Sequence, residues 1–308
     1  MAFQRVGILS IGEMGYQWAR LLASQRVEVL TYTKGRSEIT RKRAENAGAR
    51  SVPSLARLVS ESDLVVSVVV PSAARRVAAN VAKALLNVGR REFLYLDANA
   101  TSPMAAREIE GYFSPASANF VDGCIIGSAA RMGRGTVVYV SGAQAARIRA
   151  LEQWGFSIRV LGPDIGQASA FKIVYAGLTK GLQGLLVELL IGARKFGLLD
   201  EILKQYEESF PGLIGKVASS IAALPVHAGR RAEEMDELNR TFRHHGLKAI
   251  MAPATQKVLK SIASLDAGTA SETGERKGNL LETLELFFQR GLLREKTVRG
   301  STTEGIST

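Results

Sequence analysis

The 308-residue chain holds a single cysteine, Cys124, three histidines and only 6% aromatic residues. One thiol excludes an internal disulfide and fits a reducing compartment. His227, His244 and His245 stand at no metal-ligand spacing from one another or from Cys124, and adjacent helical residues point different ways, so no metal site is expected. Long apolar runs are scarce as well. The most apolar stretches, residues 64–70 and 182–193, are short or broken by Gln183 and Glu188, and no membrane partner is expected. Met1-Ala2-Phe3-Gln4-Arg5 leads at once into an expected strand, so neither a signal peptide nor a transit sequence is expected and a cytoplasmic location is. Acids are outnumbered, with 29 Asp and Glu against 40 Lys and Arg and a net charge of +11. The cations are scattered, at 34–50, Arg75-Arg76, Arg90-Arg91, Arg131 and Arg134, Arg230-Arg231 and the tail. No element interleaves them with aromatics, which argues against a nucleic-acid partner and leaves a solvated surface, part of it available to anionic ligands.

What is present is an ordinary globular composition, 46% hydrophobic and 22% charged, in a chain long enough for two cores. Short apolar strands alternate with helical segments through the first half, the pattern of a parallel sheet covered on both faces. Strands are expected at 26–32, 50–52, 64–70, 93–96, 119–124, 136–141 and 157–161. Helices are expected at 37–47, 54–60, 77–86, 104–112 and 143–154. From Gln167 the texture changes to long helices, the first of them a nearly uninterrupted bridge over 168–196. Its glycines, Gly177, Gly181, Gly184 and Gly192, suit close packing against other helices. Further helices are expected near 200–209, 212–224, 229–245, 251–265 and 279–290, with a polar loop at 266–278. The expected organisation is a dinucleotide-binding domain at 1–165, a helical substrate and dimerisation domain at 166–292, and a disordered tail at 293–308.

Val6-Gly7-Ile8-Leu9-Ser10-Ile11-Gly12-Glu13-Met14-Gly15 reads as a strand, a glycine turn and the start of a helix. Such a turn lets the backbone approach a pyrophosphate at Gly12, packs the helix on the strand at Gly15, and aims unpaired helical N–H groups at the phosphates. Ser10 occupies the place of a first glycine, which a short side chain tolerates if the turn does not need a positive φ. Ser10, Ile11, Gly12, Glu13 and Met14 are therefore expected to hold a dinucleotide. The second strand ends in Thr31-Tyr32-Thr33-Lys34-Gly35-Arg36-Ser37 with no acid before Glu38. Thr33, Lys34, Arg36 and Ser37 thus favour the 2′-phosphate of NADP(H) over NAD(H). Val70 and Pro71, at the end of the run 64–70, and Asn99, beyond the strand at 93–96, complete the expected cofactor site.

Four segments in order resemble the β-hydroxyacid dehydrogenase family, which includes 3-hydroxyisobutyrate and 6-phosphogluconate dehydrogenases. Ser10-Ile11-Gly12-Glu13-Met14-Gly15 is similar to its opening turn. Asp97-Ala98-Asn99-Ala100-Thr101-Ser102-Pro103 is similar to its D-x-S-T-x-x-P. Asp122-Gly123-Cys124-Ile125-Ile126-Gly127-Ser128, with Gly135-Thr136-Val137 after it, resembles its substrate loop. Gly166-Gln167-Ala168-Ser169-Ala170-Phe171-Lys172-Ile173-Val174-Tyr175-Ala176 resembles its G-x-G-x-x-x-K-x-x-N-N. Gly229-Arg230-Arg231-Ala232-Glu233-Glu234-Met235 is similar to a lesser-known branch with a compact helical domain.

The resemblance implies a Rossmann-type doubly wound domain followed by an all-α domain, joined by the bridging helix. It also implies a homodimer formed through the helical domain. Lys172 would be the general acid and base of hydride transfer between nicotinamide and a hydroxy or oxo group, with Asn99 and Tyr175 beside it as catalytic candidates. Ile126, Gly127, Ser128, Lys172 and Lys180 would meet the small-molecule substrate, with Ser102 also expected in the pocket. Ala168, Ala176 and Ile126 replace a Gly, an Asn and a Ser of the family pattern, so the substrate is expected to differ from a simple 3-hydroxy acid while remaining acidic. An imine reductase of the same architecture and a non-catalytic dinucleotide-binding protein are the alternatives.

Overall fold

The computed structural model describes residues 3–90, 93–116, 119–265 and 278–294. The chain divides into two compact units within one helix, the first ending at Tyr175 and the second starting at Ala176. The expected loop at 266–278 and the expected tail at 293–308 lie almost wholly outside the described residues.

In the first unit β1 (Arg5–Leu9), β2 (Glu28–Thr31), β3 (Ala49–Ser51), β4 (Leu64–Ser67), β5 (Leu94–Asp97), β6 (Asn119–Ile126), β7 (Val137–Ser141) and β8 (Ser157–Gly162) form one sheet. Their order is β3-β2-β1-β4-β5-β6-β7-β8. The order reverses between β1 and β4, the place where doubly wound sheets open a crevice at the carboxyl ends of their strands. The intervening helices are α1 (Glu13–Ser24), α2 (Glu38–Asn46), α3 (Leu55–Glu61), α4 (Pro71–Val88) and α5 (Pro103–Phe113). They cover both faces, as the unbroken burial of Leu64, Val65 and Val66 requires. On one face Trp18 and Leu22 of α1 pack with Ile148, Leu151 and Phe156, the Trp18 and Phe156 rings 4.6 Å apart. On the other, Ala78, Val81 and Leu85 of α4 pack with Tyr95, Ile109, Phe113 and Phe120.

Three expectations are corrected. The sheet is not all parallel, because β7 runs antiparallel to β6; the short 127–136 connection has no room for a crossover helix and turns the chain back. The segment expected as an α-helix at 143–154 is a 3-10 helix over Ala145–Trp154. The run 64–70 leaves the sheet after Ser67 because the Asn99 carboxamide oxygen takes the Val69 N–H at 2.7 Å. Pro71, expected in the cofactor site at the end of that run, is the first residue of α4, where its missing N–H leaves no bond unmade.

The helix α6 (Gln167–Phe196) runs from the first unit into the second. By length and composition it could cross a bilayer, contrary to the reading of its central run as too short and interrupted. Its N-terminus, however, is bonded to the sheet and Gln183 at its middle is buried, which suits the helix of a folded unit. The second unit continues with α7 (Leu199–Ser209), α8 (Leu213–Ala222), α9 (Leu224–His244), α10 (Met251–Ala263) and α11 (Leu280–Gln289). Gly184 lets α6 approach α10 closely, since a Cβ there would stand 3.2 Å from the Thr255 methyl.

Candidate active site

Most of the residues expected in the site lie at the carboxyl ends of β1, β2, β4, β5 and β6. Ser10 follows β1 with φ +76°. The condition under which a serine was expected to fit is therefore not met, and the turn holds a non-glycine residue in the left-handed region. Its Oγ makes no hydrogen bond to the described residues. Gly15 is required by packing, because a Cβ there would fall 2.0 Å from the Ser10 carbonyl oxygen. Gly12 differs. It is extended, with φ −72° and ψ −166°, a conformation open to any residue, and a Cβ would meet nothing nearer than Ser10 Oγ at 3.7 Å. The protein's own packing does not demand a glycine at this position. A ligand backbone approaching the turn would.

The helix N-termini make the same distinction. Ser37, Ser54 and Ser102 cap α2, α3 and α5 with their own hydroxyls. Gly12 and Val70, at the N-caps of α1 and α4, supply no side-chain cap. These two uncapped ends flank the β1/β4 switch point, where their N–H groups suit the phosphates of a dinucleotide. Val70 is exposed there, with Pro71 beside it.

At the end of β2 the expected residues divide. Thr33 is buried and its hydroxyl is bonded to Ser51 Oγ at 2.7 Å, and Ser37 is occupied in capping α2. Lys34 and Arg36 are exposed. The sequence reading missed Arg41, whose Nη1 donates to the Arg36 carbonyl at 2.9 Å. Among the described residues none of these three cations forms an ion pair.

Lys172 lies in the second turn of α6 and donates from Nζ to the Ile125 carbonyl at 2.6 Å. This places the ammonium at the end of β6, where the Ile126-Gly127-Ser128 loop begins. Gly127 has φ +128° and a Cβ would collide with Thr136; the Thr136 hydroxyl clips the loop by donating to the Ser128 carbonyl at 2.6 Å. The glycine and threonine of the resembled motifs thus shape one turn.

The cap of α6 was not foreseen. Asp122 Oδ2 accepts from Gly166 N at 3.0 Å, Ser169 N at 3.0 Å and Ser141 Oγ at 3.2 Å, and Oδ1 accepts from Ser169 Oγ at 2.7 Å. Ser141 Oγ in turn accepts from Ala168 N at 3.0 Å. In register across the sheet, Ser67, Asp97, Asp122 and Ser141 form one transverse row, and all four are buried. Asp97 Oδ1 accepts from Asn99 N at 3.0 Å, while Oδ2 has no partner. Burial, with a smaller contribution from Asp122 next to it, pushes the Asp97 carboxyl up to about 7. Burial also raises Asp122, against the bonds it accepts.

Of the remaining candidates, Asn99 is buried, its oxygen on Val69 N and its Nδ2 on Ser67 Oγ at 3.1 Å, so it ties the ends of β4 and β5. Ser102 is buried as the cap of α5. Tyr175 is 45% exposed and Ala176 is buried. Lys180 pairs with Glu234 of α9 at 2.7 Å, inside the second unit.

Residues 5–155 match the NAD binding domain of 6-phosphogluconate dehydrogenase, and residues 193–262 match a domain of unknown function, DUF1932. An uncharacterized 28.5 kDa protein of Methanothermus fervidus is 33% identical over 259 residues, covering 84% of this chain and 98% of that protein. The chain belongs to the β-hydroxyacid dehydrogenase-like family, with a divergent helical C-terminal domain. A solved protein of unknown function, described as structurally similar to 3-hydroxyacid dehydrogenases, is 30% identical with a TM-score of 0.71, covering 84% of this chain and 96% of that one. The Mycobacterium tuberculosis 3-hydroxyisobutyrate dehydrogenase shares the fold at 16% identity and a TM-score of 0.68, over 86% of this chain and 94% of that one. Imine reductases are among further proteins of this fold.

Two outcomes are expected of this site. Ser10→Gly relieves the left-handed serine at about 1–2 kcal/mol, partly offset by the greater freedom of glycine in the unfolded chain. The variant should unfold at a higher urea midpoint, and an unchanged or lower midpoint would refute strain at Ser10. Asp97 stays protonated in the folded protein up to about pH 7, while the unfolded carboxyl ionises from about pH 4. Folding stability attributable to it is therefore present at low pH and lost as pH rises between these values. Asp97→Asn should gain on the parent protein across that window by a few kcal/mol and hold a constant difference above it, as read from urea midpoints at pH 4.5 and pH 8.

Proposed function

We propose that the protein is an NADP(H)-dependent oxidoreductase that interconverts a hydroxy and an oxo group on a small acidic metabolite, with Lys172 as general acid and base. The observation that carries this reading is the Lys172 ammonium held 2.6 Å from the Ile125 carbonyl, at the mouth of the 126–128 loop. When bound, the nicotinamide supplies or accepts the hydride. Lys172 does the proton work. Charge that builds on a carbonyl oxygen is stabilised by an ammonium within hydrogen-bond reach, which then delivers a proton; in the reverse direction the amine takes the proton from the hydroxyl. The Ile125 carbonyl directs the ammonium, Ile126 offers the substrate an apolar wall, and Gly127 and Ser128 offer a backbone turn and a hydroxyl. Asn99 supports the site by fixing the strand ends, and Tyr175, three residues after Lys172, is a second proton-bearing group on the same helix. An imine reductase remains the competing reading, supported by Tyr175 and by the buried Ala176 where the resembled family carries an amide.

Preference for NADP(H) over NAD(H) is supported by Lys34, Arg36 and Arg41 at the end of β2. The first acid after that strand, Glu38, is held by Lys42 at 2.8 Å. Pairing of two copies through the helical domain is supported by the second-unit part of α6, which exposes Leu178, Leu185 and Leu189. These recur at four and seven residues, an apolar stripe suited to a second copy.

The test is NADPH oxidation against panels of 2- and 3-oxo acids, aldehydes and cyclic imines. Lys172→Ala should lower kcat on an oxo substrate about 100-fold or more with NADPH affinity unchanged; undiminished turnover would remove Lys172 from the chemistry. Arg36→Glu should weaken NADPH binding by about tenfold or more relative to NADH, measured by fluorescence titration. An unchanged ratio would place 2′-phosphate recognition elsewhere.

A further inference from the structure

The Gly229-Arg230-Arg231-Ala232-Glu233-Glu234-Met235 segment is not accounted for by the hydride-transfer reading. It lies on α9, and Arg231 is only 8% exposed. A buried guanidinium ordinarily has a carboxylate partner, because burial without one leaves its charge uncompensated. Among the described residues no carboxylate bonds Arg231, and Glu234 acts on it only as a nearby charge. Its Nη1 donates to Gln183 Oε1 on α6 at 2.9 Å and to the Ser220 carbonyl on α8 at 2.7 Å, both neutral acceptors. The Nε and Nη2 edge, which presents two parallel N–H groups, has no acceptor among the described residues. Nor is it sealed within the protein, since these nitrogens are not among the buried polar atoms without partners.

The surroundings are cationic. Glu234, one turn on along α9, is shared by Lys180 at 2.7 Å and Arg230 at 2.8 Å, so two cations draw on one carboxylate while Arg231 stands beside them. His227, one turn before Arg231, is held toward its neutral form by burial and by Arg231 and Arg230. Three cations therefore face one acid within the second unit. The Arg231 guanidinium is fixed from two helices in a way that leaves its bidentate edge open.

We infer that Arg231, fixed by Gln183 and Ser220 and flanked by Lys180 and Arg230, is an oxyanion-binding site that takes a carboxylate or phosphate group on its Nε and Nη2 edge. The site is read within the second unit alone and does not rest on the proposed function; binding is read without turnover.

The experiment titrates the full chain with succinate and, separately, with inorganic phosphate in a chloride buffer, following binding by calorimetry. Saturable binding that Arg231→Lys weakens is expected of either probe, and the tighter of those so weakened identifies the group. Arg231→Lys keeps the charge without the fork and should weaken binding at least tenfold. Glu234→Gln removes the nearest carboxylate and should tighten it several-fold, an effect that a guanidinium serving only to join helices would not give. Arg231→Lys and Glu234→Gln are compared with the parent chain by circular dichroism; if the lysine variant does not fold, the direction of the Glu234→Gln effect decides. No binding of either probe to the parent chain, or equal affinity in the folded variants, overturns the site. Lys172→Ala should bind the probes as the parent does. Loss of turnover in that variant with no probe binding to the parent would leave the oxidoreductase reading standing and remove this one; probe binding with Lys172-independent turnover would do the reverse.

Discussion

Asp122 fixes where α6 begins, and through it the position of Lys172. A helix starts with N–H groups that have no partner within it, and α2, α3 and α5 meet that need with a serine of their own. The N-terminus of α6 is met from the sheet instead. Asp122 of β6 holds the amides of Gly166 and Ser169 and the Ser169 hydroxyl, and Ser141 of β7 holds the amide of Ala168. Bonds from two strands fix both the start of the helix and its rotation. Ser169 and Lys172 are three residues apart and share a helical face. Once Ser169 is on Asp122, Lys172 falls over the same strand, and its long stem reaches Ile125.

The same carboxylate constrains its neighbour. Asp97 pairs with Asp122 across parallel strands, and two buried carboxylates side by side cannot both ionise at low cost. Asp122 has the four donors that favour its charged form. Asp97 has one backbone N–H and an oxygen with no partner, so Asp97 is the one that keeps its proton. The row is therefore asymmetric in its donors, and the positive end of α6 stands at Asp122, where the helix dipole opposes the upward push of burial.

The strand and helix order, the glycine turn and the change of texture near residue 167 are legible because each depends on local pattern: period, turn residues and spacing; Lys172 stands out only through the resembled motif. The antiparallel β7 is not legible, since strand direction depends on the length and path of a connection. The left-handed Ser10 is not either; one serine among glycines does not reveal its φ. Thr33 and Ser37 are the right residue types for a phosphate site, but their hydroxyls are held by Ser51 and by the first turn of α2. Arg41 was hidden in a run of cations because its link to the turn is a side-chain bond to the Arg36 carbonyl. Asp122 was visible as part of a motif, yet its role as a cap depends on residues of three separate elements.

The net charge of +11 illustrates the same limit. In the sequence all forty cations are equivalent, and their scatter points to a solvated surface. In the fold many are neutralised: Arg50 and Arg57 share Glu61, Arg75 meets Glu108, and Arg194 meets Glu285. Exposed pairs of this kind contribute little to stability and are not available to ligands. The informative cations are those beside a structural feature that needs an anion and without an acid of their own. Lys34, Arg36 and Arg41 adjoin a sheet whose switch point is flanked by two uncapped helices, and Arg231 is buried against neutral acceptors. On the proposed readings, what marks a ligand-binding cation is less its charge than the acceptor missing from its surroundings, and only the folded chain reveals that.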